Sequence, residues 1–161
     1  MMRKRMIIKG TKKNHEFFEE YIQKLGQALE TSLHAEKGYL CKIRIDGSLR
    51  VQIEHEPAEE RILIASFLCE LPPGKFREDL LKEALKANDA LDRLGIFAYS
   101  SKNNSLTYFL YLSDKIQFEE FSQSFLQWLE VAKKWKSAVE TGNIFQISQS
   151  HPPSPSFFGL S

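Results

Sequence analysis

Residues 61–71, RILIASFLCEL, decide the fold of this chain. A strand with one wet face alternates apolar and polar side chains, and this run is nearly apolar on both faces. It reads as a central strand, covered on one side by helices and on the other by something else, such as a second subunit. Leu71-Pro72-Pro73-Gly74 stops it. Upstream, Leu49, Val51 and Ile53 alternate with Arg50, Gln52 and Glu54, so that strand has one buried and one wet face, and Pro57 ends it. Asp46-Gly47 joins it to an alternating run, Tyr39 to Ile45; glycine tolerates the positive φ that a tight hairpin turn needs.

Helical spacing flanks these strands. Phe18, Tyr21, Ile22, Leu25, Leu29 and Leu33 form one stripe, with Asn14 as its expected cap and Gly38 beyond it. A second helix is expected from about Lys75 to Leu94, stopped by Gly95. Ile96–Ser100 and Leu106–Leu112 read as strands joined through Asn103-Asn104. A last helix carries Phe118, Phe121, Phe125, Trp128, Leu129, Ala132, Trp135 and Val139 on one face. Ser113 or Asp114 is its expected cap and Thr141-Gly142 its end. The order α-β-β-β-α-β-β-α predicts an α+β domain, an antiparallel five-stranded sheet packed by three helices. Residues 1–13 read as a flexible basic arm, 14–142 as the folded domain, and 143–161 as a flexible Pro/Ser-rich tail.

The 161 residues suit one domain with a proper core, and 42% hydrophobic content is ordinary for a soluble protein. No apolar run reaches the ~18 residues of a membrane span, and the short Met6–Ile8 stretch is no signal h-region, so a cytoplasmic protein is expected. The net charge of +1 hides an asymmetry. Residues 1–13 carry six cations and no acid, which leaves the remainder at −5. The arm either contacts an anionic partner or is a solvated terminus. Cys41 and Cys69 sit in strand-like runs and read as buried, reduced thiols.

Little in the chain points to catalysis. His15, His34, His55 and His151 share no ligand spacing and neither cysteine lies in a CxxC, so no metal and no cofactor is expected. Nucleotide-binding and nucleophile-elbow motifs are absent. Glu54-His55-Glu56 reads as a solvated strand end, with His55 opposite the two glutamates. A hydrolase with a scattered site would have Glu54, His55 and Asp46 as its only candidates. The acidic body argues against nucleic-acid binding. Lys133, Lys134 and Lys136 complement the end of the last helix and leave Trp135 facing the core.

About Phe17 to Thr141 resembles the type III secretion chaperones that serve individual effectors, the Tir-chaperone type. The resemblance rests on the element order, on the second helix FREDLLKEALKANDAL leading into GIFAYS, on the strand NNSLTYFLYLS, and on the closing helix FEEFSQSFLQWLEVAKKWKSAVE. The basic arm and the Pro-rich tail depart from it. It implies a non-enzymatic homodimer that holds the N-terminal region of a secreted effector extended, soluble and competent for export. An extended segment can add a strand to a sheet edge and place alternate side chains in pockets. The expected effector-binding residues are Phe17, Tyr21, Leu25, Val51, Ile53, Ile62 and Ile64. The expected dimer interface is Leu81, Leu85, Asn88, Leu91, Ile96 and Ala98. Docking of the basic arm onto the export ATPase stays open, and neither nucleic acid nor stable membrane insertion is implied. The rival reading is a regulatory or sensory interaction module of the same fold.

Overall fold

The structure, a computed structural model, describes residues 10–144 and Ile147, with side chains from Glu16 onward. Helix α1 (Gly10–Ala28) precedes strands β1 (Leu40–Ile45), β2 (Leu49–Glu56) and β3 (Arg61–Glu70). Helix α2 (Lys75–Asp89) leads to β4 (Ile96–Ser100) and β5 (Ser105–Ser113), and α3 (Phe118–Thr141) closes the fold. The five strands form one antiparallel sheet in the order β1-β2-β3-β5-β4, as the α+β reading requires.

Local chemistry sets the hinges between elements. Asp46 and Gly47 both have positive φ, 48° and 75°, and Ser48 N–H donates to the Ile45 carbonyl, closing the hairpin. Gly142, at φ 68°, ends α3 by donating to the Ala138 and Val139 carbonyls. The sequence expectation fails at three helix ends. Asn14 lies inside α1, which starts at Gly10, so residues 10–13 are helical. Helix α3 starts at Phe118 with Gln117 in the cap position, while Asp114 bonds His55 and Ser113 Oγ accepts from Lys115 N–H. Helix α2 stops at Asp89, and Ala90 adopts extended backbone. Gly95 serves packing: a Cβ there would lie 2.7 Å from the Phe109 carbonyl and from the Tyr108 ring.

Helices α1 and α3 cover one face of the sheet, and α2 packs beside β4. Into that side point Val51, Ile53, Ile62, Ile64, Leu68 and Tyr108, all at most 2% exposed. A bulge between Phe67 and Cys69 adds one residue to β3, so Leu68 and Cys69 are both buried. Lys136 Nζ reaches across from α3 to the Leu68 carbonyl at 2.9 Å. Burial pushes the Cys41 thiol up to about 11, with Glu19 and Glu36 adding to the rise, and burial raises Cys69 as well. Both cysteines are free thiols that resist ionisation.

An aromatic column fixes α3 to the sheet. Trp128 stacks on Tyr108 at 5.4 Å and Tyr108 on Phe97 at 4.4 Å, while Phe97 meets Trp135 at 4.0 Å. Residues 128 and 135 are seven apart, two helical turns, and so share a face. The side-chain amide of Asn88 takes the place of a further strand beside β4. Its Oδ1 accepts from Phe97 N–H at 2.8 Å and its Nδ2 donates to the Phe97 carbonyl at 2.9 Å.

Candidate functional site

Because strand side chains alternate, everything pointing away from the helices forms a second face. Cross-strand register orders it. Arg44, Arg50, Phe67, Thr107 and Ala98 make one row, and Lys42, Gln52, Ala65, Phe109 and Ile96 the next. Leu63 stands opposite Tyr111 in a third. Phe67, Ile96 and Tyr111 are 39%, 39% and 42% exposed. The face is thus cationic towards β1 and aromatic-aliphatic towards β4. A groove of about 540 Å³ opens between the two halves, lined by Lys42, Arg44, Arg50, Gln52, Phe67 and Thr107 among others.

At one margin of that face β1 has β2 as its single strand neighbour; Glu36 pairs with Leu40 at the start of its far edge, and beyond it Lys42 and Arg44 turn backbone donors and acceptors outward. Arg44 and Arg50 are exposed and directly opposed across β1 and β2. Like charges so placed repel. Arg44→Glu is therefore expected to stabilise the fold by about 0.2–1 kcal/mol, read by urea unfolding.

The residues expected to bind an effector divide by burial. Leu25, Val51, Ile53, Ile62 and Ile64 are at most 2% exposed and belong to the core of the single chain. Phe17 and Tyr21 are half-buried at its margin, where the Tyr21 hydroxyl donates to the Ile116 carbonyl at 2.7 Å. Of the residues expected in a dimer interface, Leu85 and Leu91 are 69% and 99% exposed, and Ile96 is 39% exposed. Leu81 and Ala98 are half-buried, and Asn88 is committed to Phe97. Sequence reasoning missed Leu63, Phe67, Phe109 and Tyr111, and with them Lys42, Arg44 and Arg50. The signal was available: once Val51 and Ile53 face inward, hairpin register turns Arg50 outward with its strand partner Phe67.

The three residues of the hydrolase reading do not meet. Asp46 lies in the β1–β2 turn, 3.5 Å from Lys133, and Glu54 is on the outer face bonded to Gln52. His55 corrects the expectation of a solvated strand end. It is 2% exposed and faces inward, between the Phe17 and Phe18 rings and 3.2 Å from the Asp114 carboxylate. Among the described residues no three His, Cys, Asp or Glu side chains gather as a metal site, and no helix is long and apolar enough to cross a membrane.

Known structures share this architecture. The HopA1-SchA chaperone-effector complex contains a chain that matches with a TM-score of 0.62 and 18% identity, over 78% of this chain and 98% of that one. A chain of the ExsC-ExsE complex matches at 0.58 and 13%, over 76% and 93%. One from the heterodimeric ExoU-SpcU complex of the Pseudomonas aeruginosa type III secretion system matches at 0.55 and 13%, over 72% and 95%. At such identities the likeness is one of fold. No curated protein sequence matches significantly. The sequence model of the Tir chaperone protein (CesT) family matches residues 20–136, from the middle of α1 to near the end of α3. With that span covering most of the described fold, the chain belongs to the Tir chaperone protein (CesT) family.

Proposed function

We propose that the chain is a non-enzymatic, cytoplasmic type III secretion chaperone that binds the N-terminal region of an effector and keeps it extended and export-competent. The observation that carries this is the outer face of the sheet, with apolar side chains exposed towards β4 and an open stretch of strand edge at β1, in a member of this family. An extended client can use both the open stretch of the β1 edge and the exposed Phe67 and Tyr111 further across the sheet. Backbone pairing supplies affinity and alternate side chains supply selectivity. Solved complexes of the same fold support the reading, being described as chaperone-effector assemblies.

The chain acts as a homodimer through α2 and β4, with Leu81, Leu85, Leu91, Ile96 and Ala98 at the interface and Asn88 holding β4 in place behind them. The effector runs over the outer face and past the margin of α1, where Phe17 and Tyr21 are reachable. Leu25, Val51, Ile53, Ile62 and Ile64 act from beneath, as the core that shapes this surface. Residues 1–9 of the basic arm lie outside the described residues, and the export ATPase is the arm's candidate partner.

Purification from the native host followed by limited proteolysis and mass spectrometry tests this. The expected result is a co-purifying secreted protein, protected only within its N-terminal region. A chain that purifies free of any secreted protein, from cells expressing the secretion system, overturns it.

A further inference from the structure

We propose that the groove at the β1–β2 end of the outer face selects an acidic extended segment, in which glutamates or aspartates alternate with apolar side chains. Lys42, Arg44 and Arg50 are all exposed on this end of the sheet. None of the three is engaged in an ion pair among the described residues, although ten other pairs form. Of the carboxylates sharing the face, Glu54 and Glu56 sit at the opposite end of β2 and hold Gln52 and Arg61, and Glu70 lies on β3 beyond the bulge, opposite Ser105. Three unpaired cations on a body of net charge −5 are thus concentrated around one groove of about 540 Å³. Mutual repulsion of Arg44 and Arg50 is tolerated there, and an anionic ligand would relieve it.

Three features specify the ligand further. The floor at Phe67 and Thr107 is apolar enough to take an aliphatic or aromatic side chain. The adjoining edge of β1 pairs with extended backbone, which turns every second side chain of the ligand to the outer face. Acids at every second position of the ligand then face Lys42 and Arg44, and the apolar residues between them turn to the other side of the added strand. The chain's own ends fit poorly: residues 1–13 are purely basic, and residues 143–161 contain no acid. This inference rests on the reading that the chain binds an extended client, and adds the client's chemistry.

Three fluorescein-labelled decapeptides test it, alternating leucine with glutamate, with serine or with lysine. The glutamate peptide is expected to bind the full chain at least about tenfold more tightly than the lysine peptide, a difference of about 1.4 kcal/mol that shrinks in high salt. In the double variant Arg44→Glu/Arg50→Glu the order is expected to reverse. Both positions are exposed, and an unchanged melting curve shows that the fold survives. Equal binding of all three peptides overturns the acidic preference and leaves the extended-client reading standing. Binding of none overturns both. An unreversed preference in the double variant removes the groove as its origin. Anionic phosphatidylserine vesicles that bind while the peptides are not distinguished make the face a lipid surface instead.

Discussion

Trp135→Ala is expected to destabilise the fold by about 3–5 kcal/mol. The indole is 1% exposed and its ring centroid lies 4.0 Å from Phe97. Phe97 in turn stacks on Tyr108, and Tyr108 on Trp128, so the column spans α3, β4 and β5. Removing its end opens a cavity that a helix pinned by Trp128 cannot collapse, and both lost burial and void contribute. A domain of this size has roughly 5–15 kcal/mol in total, so the variant keeps only a fraction of it. Urea unfolding followed by the remaining Trp128 fluorescence measures the loss. Trp135→Phe, which keeps a ring against Phe97, is expected to lose clearly less. A loss under about 1 kcal/mol in the alanine variant would show that the column does not hold α3.

Replacing Leu85 and Leu91 together with glutamate is expected to weaken self-association at least about a hundredfold while the monomer stays folded. At 69% and 99% exposed, these side chains contribute little to the single chain. In the proposed dimer each would bury an apolar side chain worth about 1.5–3 kcal/mol. Putting a carboxylate there adds a desolvation cost and, across a two-fold axis, like-charge repulsion. Sedimentation velocity at micromolar concentration reads the outcome: wild type as a dimer, the variant as a monomer with the same circular dichroism. A variant that sediments like wild type places the interface elsewhere, and a monomeric wild type removes the dimer altogether.

Most of the fold was legible because the strands carry their own punctuation. Asp46-Gly47, Pro57 and Pro72-Pro73-Gly74 bound three of them, and the structure keeps those limits. The stripe of α3 was legible for the same reason that it packs: large aromatics at helical spacing have one place to go. The end of α2 was not. Leu91 and Leu94 continue the helical spacing, but the chain leaves the helix at Ala90, and Asn88 then engages Phe97. That exchange is tertiary and leaves no local trace.

The surface was harder to read than the core. In RILIASFLCEL both parities are apolar, so periodicity alone does not say which one faces the helices. The residues expected to meet a client, Ile62 and Ile64, took the inward parity, and Leu63 and Phe67 the outward one. His55 shows the same limit. Its burial depends on Asp114, far along the chain, and on two rings of α1, none of which is adjacent in sequence.

The Asn88 amide bears on how large an assembly can grow. By occupying the backbone of Phe97 it blocks the middle of the β4 edge, so that the β1 edge beyond Leu40 is the side better placed for an appended strand. Each protomer then has a valence of one. In the proposed dimer, two protomers joined through α2 and β4 would present two such edges facing outward, one per chain, so each dimer would accept at most two appended strands.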